Sequence, residues 1–126
     1  MVNDKPEKVI SDLILKLRSG IIWKPGSAAR HLLKRKLRGH LPTNASLADY
    51  ELLIQDILQS ADALIYVYTF EHTPYLTIAD TIGDQVWLII ASFDGVMETA
   101  FVVENPASYL ERYTFRYIGK LHEVLA

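Results

Sequence analysis

The stretch "RHLLKRKLRGH", Arg30 to His40, holds five Lys or Arg and two histidines in eleven residues. On a helix, His31 shares its face with Lys34 at i+3, Arg35 at i+4 and Arg38 at i+7. Three fixed positive charges disfavour a fourth, so the imidazole is biased toward its neutral form near neutral pH. A neutral histidine ringed by cations has the parts for metal-free RNA cleavage. The imidazole takes the proton of a 2′-hydroxyl, and the cations hold the phosphate and the charge that builds on it. Arginine suits bidentate phosphate contact, which makes Arg30, Lys34, Arg35 and Arg38 the candidate substrate-binding set. The plainer alternative is a solvated basic face whose histidine does nothing. His40 follows the helix-ending Gly39. It is either a second proton-transfer group or a cation placed favourably at a helix C-terminus.

A second candidate lies far along the chain. Asp94-Gly95 is a two-residue hairpin signal, which pairs Phe93 with Val96, Ala91 with Glu98 and Ile90 with Thr99. Thr99 then shares a face with Met97, Phe101, Leu88 and Ile90, where its hydroxyl could bond a phosphate; it is equally a good strand former. Glu98, on the opposite face, is a buried acid/base candidate or an exposed edge residue. His72 and His122 are expected at the surface. Tyr66, Tyr68, Tyr75, Tyr109, Tyr113 and Tyr117 could stack on bases or serve as core-edge residues. No histidine has close zinc-type spacing, and there is no glycine-rich phosphate loop or GxSxG elbow. Neither a metal nor another cofactor is expected.

These residues must be positioned by one domain, since 126 residues leave no room for two full cores. Half the residues are hydrophobic and 22% are charged, as a packed core requires. There is no cysteine, the longest apolar runs fall well short of the ~20 residues that span a bilayer, and the N-terminus lacks an apolar signal segment. A cytoplasmic protein with no membrane association is expected. Net charge is only −2, but it is unevenly spread. Eight cations and no acid lie between Asp12 and Asp49; eleven acids and no Lys or Arg lie from Gly39 to Glu111. That split points to a polyanion partner, RNA above all, or to two halves that neutralise each other.

Apolar periodicity predicts helices over Pro6–Arg18 (with Asp4 as a cap), from Ser27 as N-cap to about Arg38, and over Leu47–Gln59 behind a Ser46/Asp49 capping box. In the second helix the wheel puts Ala29, Leu32, Leu33 and Leu37 toward the core. Strands follow over residues 63–70, 75–82, 85–93 and 96–103, then a short helical turn after Pro106 and a mixed tail. The expected fold is α+β, with N-terminal helices on a four-stranded antiparallel meander and a short C-terminal helical tail. Within the one domain, 1–60 is the basic helical part, 63–103 the sheet and 104–126 the tail.

The blocks "RHLLKRKLRGH", "LADYELLIQDIL" and "VWLIIASFDGVMETAFVV" together resemble the barnase, colicin D and RelE-like metal-independent RNase superfamily, the colicin D or prophage-nuclease type in particular. Relatives of that type carry a similar hairpin strand, matched here by Asp94-Gly95 and Thr99-Ala100-Phe101. The resemblance covers about residues 27–117. It implies His31 as acid/base group, Lys34 and Arg35 on phosphate, and Thr99 hydrogen-bonding it. In the colicin D pattern basic residues precede the histidine, whereas here most follow His31, and "KLRGH" also puts cations before His40. His31 is preferred because a helix fixes it against three cations. A toxin-like endoribonuclease is implied, with an acidic immunity or antitoxin protein as a partner. The alternatives are a non-catalytic module that docks nucleic acid or an acidic protein, and an immunity-like protein that acts through its acidic sheet.

Overall fold

Helix α1 (Pro6–Arg18) turns Ile10, Leu13, Ile14 and Leu17 to one side, and all four are buried. The Asp4 cap lies outside the residues that the computed structural model describes, which are 6–112 and 114–126. Helix α2 (Ala28–Leu37) follows the Pro25-Gly26 turn. Helix α3 (Leu47–Leu58) opens on the predicted capping box. Ser46 Oγ accepts from the Asp49 N–H at 3.1 Å, and the Asp49 carboxylate accepts from the Ser46 N–H at 2.9 Å. Tyr50, Ile54, Ile57 and Leu58 are buried from this helix, whereas Leu47, expected beside them, is exposed.

Strands β1 (Leu64–Phe70), β2 (Thr73–Ile82), β3 (Gln85–Ser92) and β4 (Met97–Val103) form the predicted antiparallel meander. The tail adds a strand that the sequence does not announce. After helix α4 (Pro106–Leu110), β5 (Phe115–Lys120) pairs with β1, and helix α5 (Leu121–Leu125) closes the chain. The sheet therefore has five strands, in the order β4-β3-β2-β1-β5, rather than four. Strand β5 hides in the sequence because Arg116, Gly119 and Lys120 break its alternation; an edge strand with a bulge opposite Ile65/Tyr66 tolerates them.

One face of the sheet, with Ile65, Leu76, Ile78, Trp87, Ile89 and Ala91, packs against α1, α3 and α5. Since β4 and β5 are opposite edges, the chain between them must cross the other face. It lays α4 there, where Tyr109 and Leu110 pack on Ala79, Leu88 and Val103.

The β3–β4 hairpin corrects the predicted turn. Ser92 N–H donates to the Val96 carbonyl at 2.9 Å, so the loop is Phe93-Asp94-Gly95, one residue longer than expected, with Gly95 at φ +94. A bulge then offsets the extra residue. Ala91 pairs with Met97 rather than Glu98, Ile90 pairs with Thr99, and Glu98 is the residue left over. Thr99 thus arrives opposite Ile90 as predicted, but Met97 leaves its face and joins the helix-side core with Ala100.

Edge strand β4 is capped from the helical part. The Met97 N–H donates to the Ile22 carbonyl at 2.7 Å. Tyr50 Oη donates to the Ala100 carbonyl and accepts from the Ala100 N–H at 3.2 Å. The Val102 N–H donates to His40 Nδ1 at 3.4 Å.

Candidate active site

Helix α2 is oriented opposite to its wheel. Leu33 and Leu37 are 57% and 78% exposed, Ala29 is exposed and Leu32 is only half-buried. Ser27 and Arg35 are buried instead, Arg35 to 3% exposure, and His31 and Lys36 are half-buried. The inward row is Ser27, His31, Arg35, spaced four apart. The reason lies in what the helix faces. The apolar face of the sheet is taken by α1, α3 and α5, so α2 meets the edge of β4, where polar groups find polar partners. Ser27 occupies the N-cap position but does not cap; its hydroxyl donates to the Lys24 carbonyl at 2.8 Å.

This orientation brings His31 and Thr99, 68 residues apart in the chain, to 3.4 Å between Nδ1 and Oγ1. One turn on, Arg35 Nη1 lies 3.2 Å from His40 Nδ1, and its guanidinium carbon sits 5.7 Å from the centre of the Phe101 ring. His31, Lys34, Arg35, Arg38, Thr99 and Phe101 line one groove of about 270 Å³. Arg30 is exposed and outside that lining; it reaches His31 only through its charge.

Arg35 is the unusual member. Among the described residues no carboxylate forms an ion pair with it, and its buried Nε has no hydrogen-bond partner. A buried charge without a counter-ion is costly, and an anion in the groove would supply one. Burial lowers the guanidinium pKa, with Tyr50 opposing and Arg38 adding to the shift.

The two histidines have different surroundings. Burial, then Arg30, Arg35 and Lys34, hold the His31 pKa below its ordinary value of 6.5. His40 is lowered by burial and then by Arg35 and Arg38, against Glu104. The His40 side chain does not cap the helix, which ends through the His40 N–H donating to the Arg35 carbonyl at 2.8 Å. Its Nδ1 faces a backbone N–H and a guanidinium, both donors only, so the proton of the neutral ring belongs on Nε2. His40 holds Arg35 and the β4 backbone; His31 faces a hydroxyl in the groove.

Trp23 was not singled out by sequence. Its ring stacks on His31 at 6.1 Å between centroids, and its Nε1–H donates to the Glu51 carboxylate at 2.7 Å. It also tilts against Tyr50, whose phenol pKa burial pushes up to about 12. The one signal was a tryptophan beside the Pro-Gly turn that introduces the basic helix. His72 and His122 are exposed, as expected. Glu98 sits half-buried at the bulge. Tyr66, Tyr68, Tyr75 and Tyr117 cluster with each other and with Phe115, across the sheet from β4, and Tyr113 lies outside the described residues. Among the described residues no three His, Asp or Glu side chains gather as a metal site, and no helix is long and apolar enough to cross a membrane. Neither a protein-family model, nor a curated protein, nor a solved structure matches the chain.

Proposed function

We propose that the protein is a small metal-independent endoribonuclease, toxin-like, acting on tRNA or mRNA in the cytoplasm. What carries this reading is one groove that holds His31 against Thr99 beside the buried Arg35, which has no carboxylate partner among the described residues. Its likeness in sequence layout to the colicin D type of nuclease points the same way.

In the proposed reaction, Arg35 and Lys34 hold the non-bridging oxygens of a phosphodiester, and the Thr99 hydroxyl donates to one of them. Neutral His31 takes the proton of the adjacent 2′-hydroxyl. The 2′-oxygen forms a bond to phosphorus as the bond to the 5′-oxygen breaks. That oxygen takes a proton from water, His31 later returns its own to solvent, and the ends are a 2′,3′-cyclic phosphate and a 5′-hydroxyl. His40 keeps Arg35 aimed into the groove.

Mixed tRNA and mRNA incubated with the protein in EDTA are expected to give those ends, and His31→Ala to abolish them. Equal activity of the two proteins, or equal inactivity, removes the assignment. A substrate with 2′-deoxyribose at the cut site is expected to stay intact.

The exposed Leu33 and Leu37, flanked by exposed Arg30, Lys34 and Arg38, favour a second reading: a non-catalytic module that docks an acidic protein such as an immunity or antitoxin partner. It would bind in a salt-dependent way, cleave nothing, ignore His31→Ala and weaken with Lys34→Ala.

A further inference from the structure

Beyond His40 a second and larger cavity, about 680 Å³, runs between β4 and α4. It shares Arg38 and Phe101 with the His31 groove, so the two cavities adjoin. Its size lies within the span of about 300–1,000 Å³ that small-ligand sites occupy. Its chemistry differs from that of the groove. The Tyr109 ring meets Phe101 edge-on at 6.2 Å, and the Arg112 guanidinium lies 4.4 Å from the Tyr109 centroid. A planar cation on an aromatic ring is the kind of surface on which a base stacks. Polar groups lie at the rim. Asn105 is exposed and its side chain makes no capping bond to α4, so its side-chain amide presents donors and an acceptor together; the Ser108 hydroxyl donates to the Asn105 backbone carbonyl at 3.4 Å. The proposed reaction uses neither Tyr109, Asn105 nor Arg112.

Resting on the ribonuclease reading of the His31 groove, we propose that this cavity is a nucleobase subsite for single-stranded RNA. It takes the base of the nucleotide joined to the phosphate at Arg35 and Lys34, stacked on the Arg112 guanidinium that lies over Tyr109 and hydrogen-bonded by Asn105. A base still paired in a duplex cannot enter it, so the substrate is a loop or an unpaired end.

The test titrates inorganic phosphate and each of the four nucleoside 3′-monophosphates into the full chain, following backbone amide resonances around Thr99 and around Asn105 and Tyr109. Phosphate is expected to move the first set alone. At least one nucleotide is expected to move both sets and to bind roughly tenfold more tightly than phosphate. Tyr109→Ala removes that advantage and leaves phosphate binding unchanged. Because Tyr109 also packs on Phe115, Asn105→Ala and Arg112→Ala, at exposed positions, repeat the test with the fold undisturbed. Nucleotides that bind no tighter than phosphate, or an advantage that survives all three substitutions, overturn the subsite. A protein that cleaves no RNA yet shows the advantage overturns the catalytic reading and supports the subsite. One that cleaves RNA without the advantage overturns the subsite alone.

Discussion

Arg35 is a full charge held at 3% exposure with no carboxylate partner among the described residues, which a protein selected for stability alone would replace. Arg35→Met is therefore expected to raise stability by about 1 kcal/mol in urea denaturation while abolishing cleavage. A loss of stability would show that the guanidinium is a structural tie. His31 gives the pH signature. A base acts in its unprotonated form, so the rate should climb as pH rises through the His31 pKa and then level off. Burial and three cations place that pKa below 6.5, so the midpoint of the rise falls below pH 6.5. A kcat/KM profile whose midpoint lies above pH 6.5 would exclude His31 as the base. The residues of this site were legible in the sequence because they are polar and clustered, and Thr99 because a hairpin signal lies just before it. Trp23 was not, since an apolar ring near a turn carries no mark of the imidazole it stacks on.

At the scale of the element, α2 separates pattern from placement. Leu33→Gln and Leu37→Gln are expected to change stability by no more than about 0.5 kcal/mol each, whereas Ile14→Ala in α1 should cost about 2–5 kcal/mol. Comparable losses in all three would restore the wheel's orientation. The helix itself was readable from Ser27 to Arg38, but its facing was not. Hydropathy periodicity tells which residues share a side, and the rule that leucines face inward holds only where the neighbour is apolar. The neighbour of α2 is the edge of β4. The hairpin carried two departures, a longer loop and a bulge at Glu98, that cancel at Thr99. The predicted pairing was reached there by a different path, while Met97 moved to the other face. Strand β5 stayed hidden because its charges and glycine describe an edge, and edges are written in the residues that loops also use.

Across the whole molecule the charge split persists. Among the described residues the ion pair that forms is Lys8–Asp12 at 3.0 Å, within α1, so the cations of α2 are not spent on the acids of the sheet. Binding to single-stranded RNA should therefore weaken steeply with salt. Lys34→Ala should reduce the slope of log K against log salt by about 0.7, the share of one phosphate contact on a single strand. An unchanged slope would take Lys34 off the phosphate.

The capping of β4 ties the candidate site to the masking of a sheet edge. The groups that close its outer edge, the Ile22 carbonyl, the Tyr50 hydroxyl and His40 Nδ1, belong to or adjoin the machinery of the groove. If the helical part lifts away, a bare strand edge is left, able to pair with the same edge of another copy. Damage at Tyr50 or His40 would thus be seen first as self-association, in a chain whose candidate site doubles as its guard against aggregation.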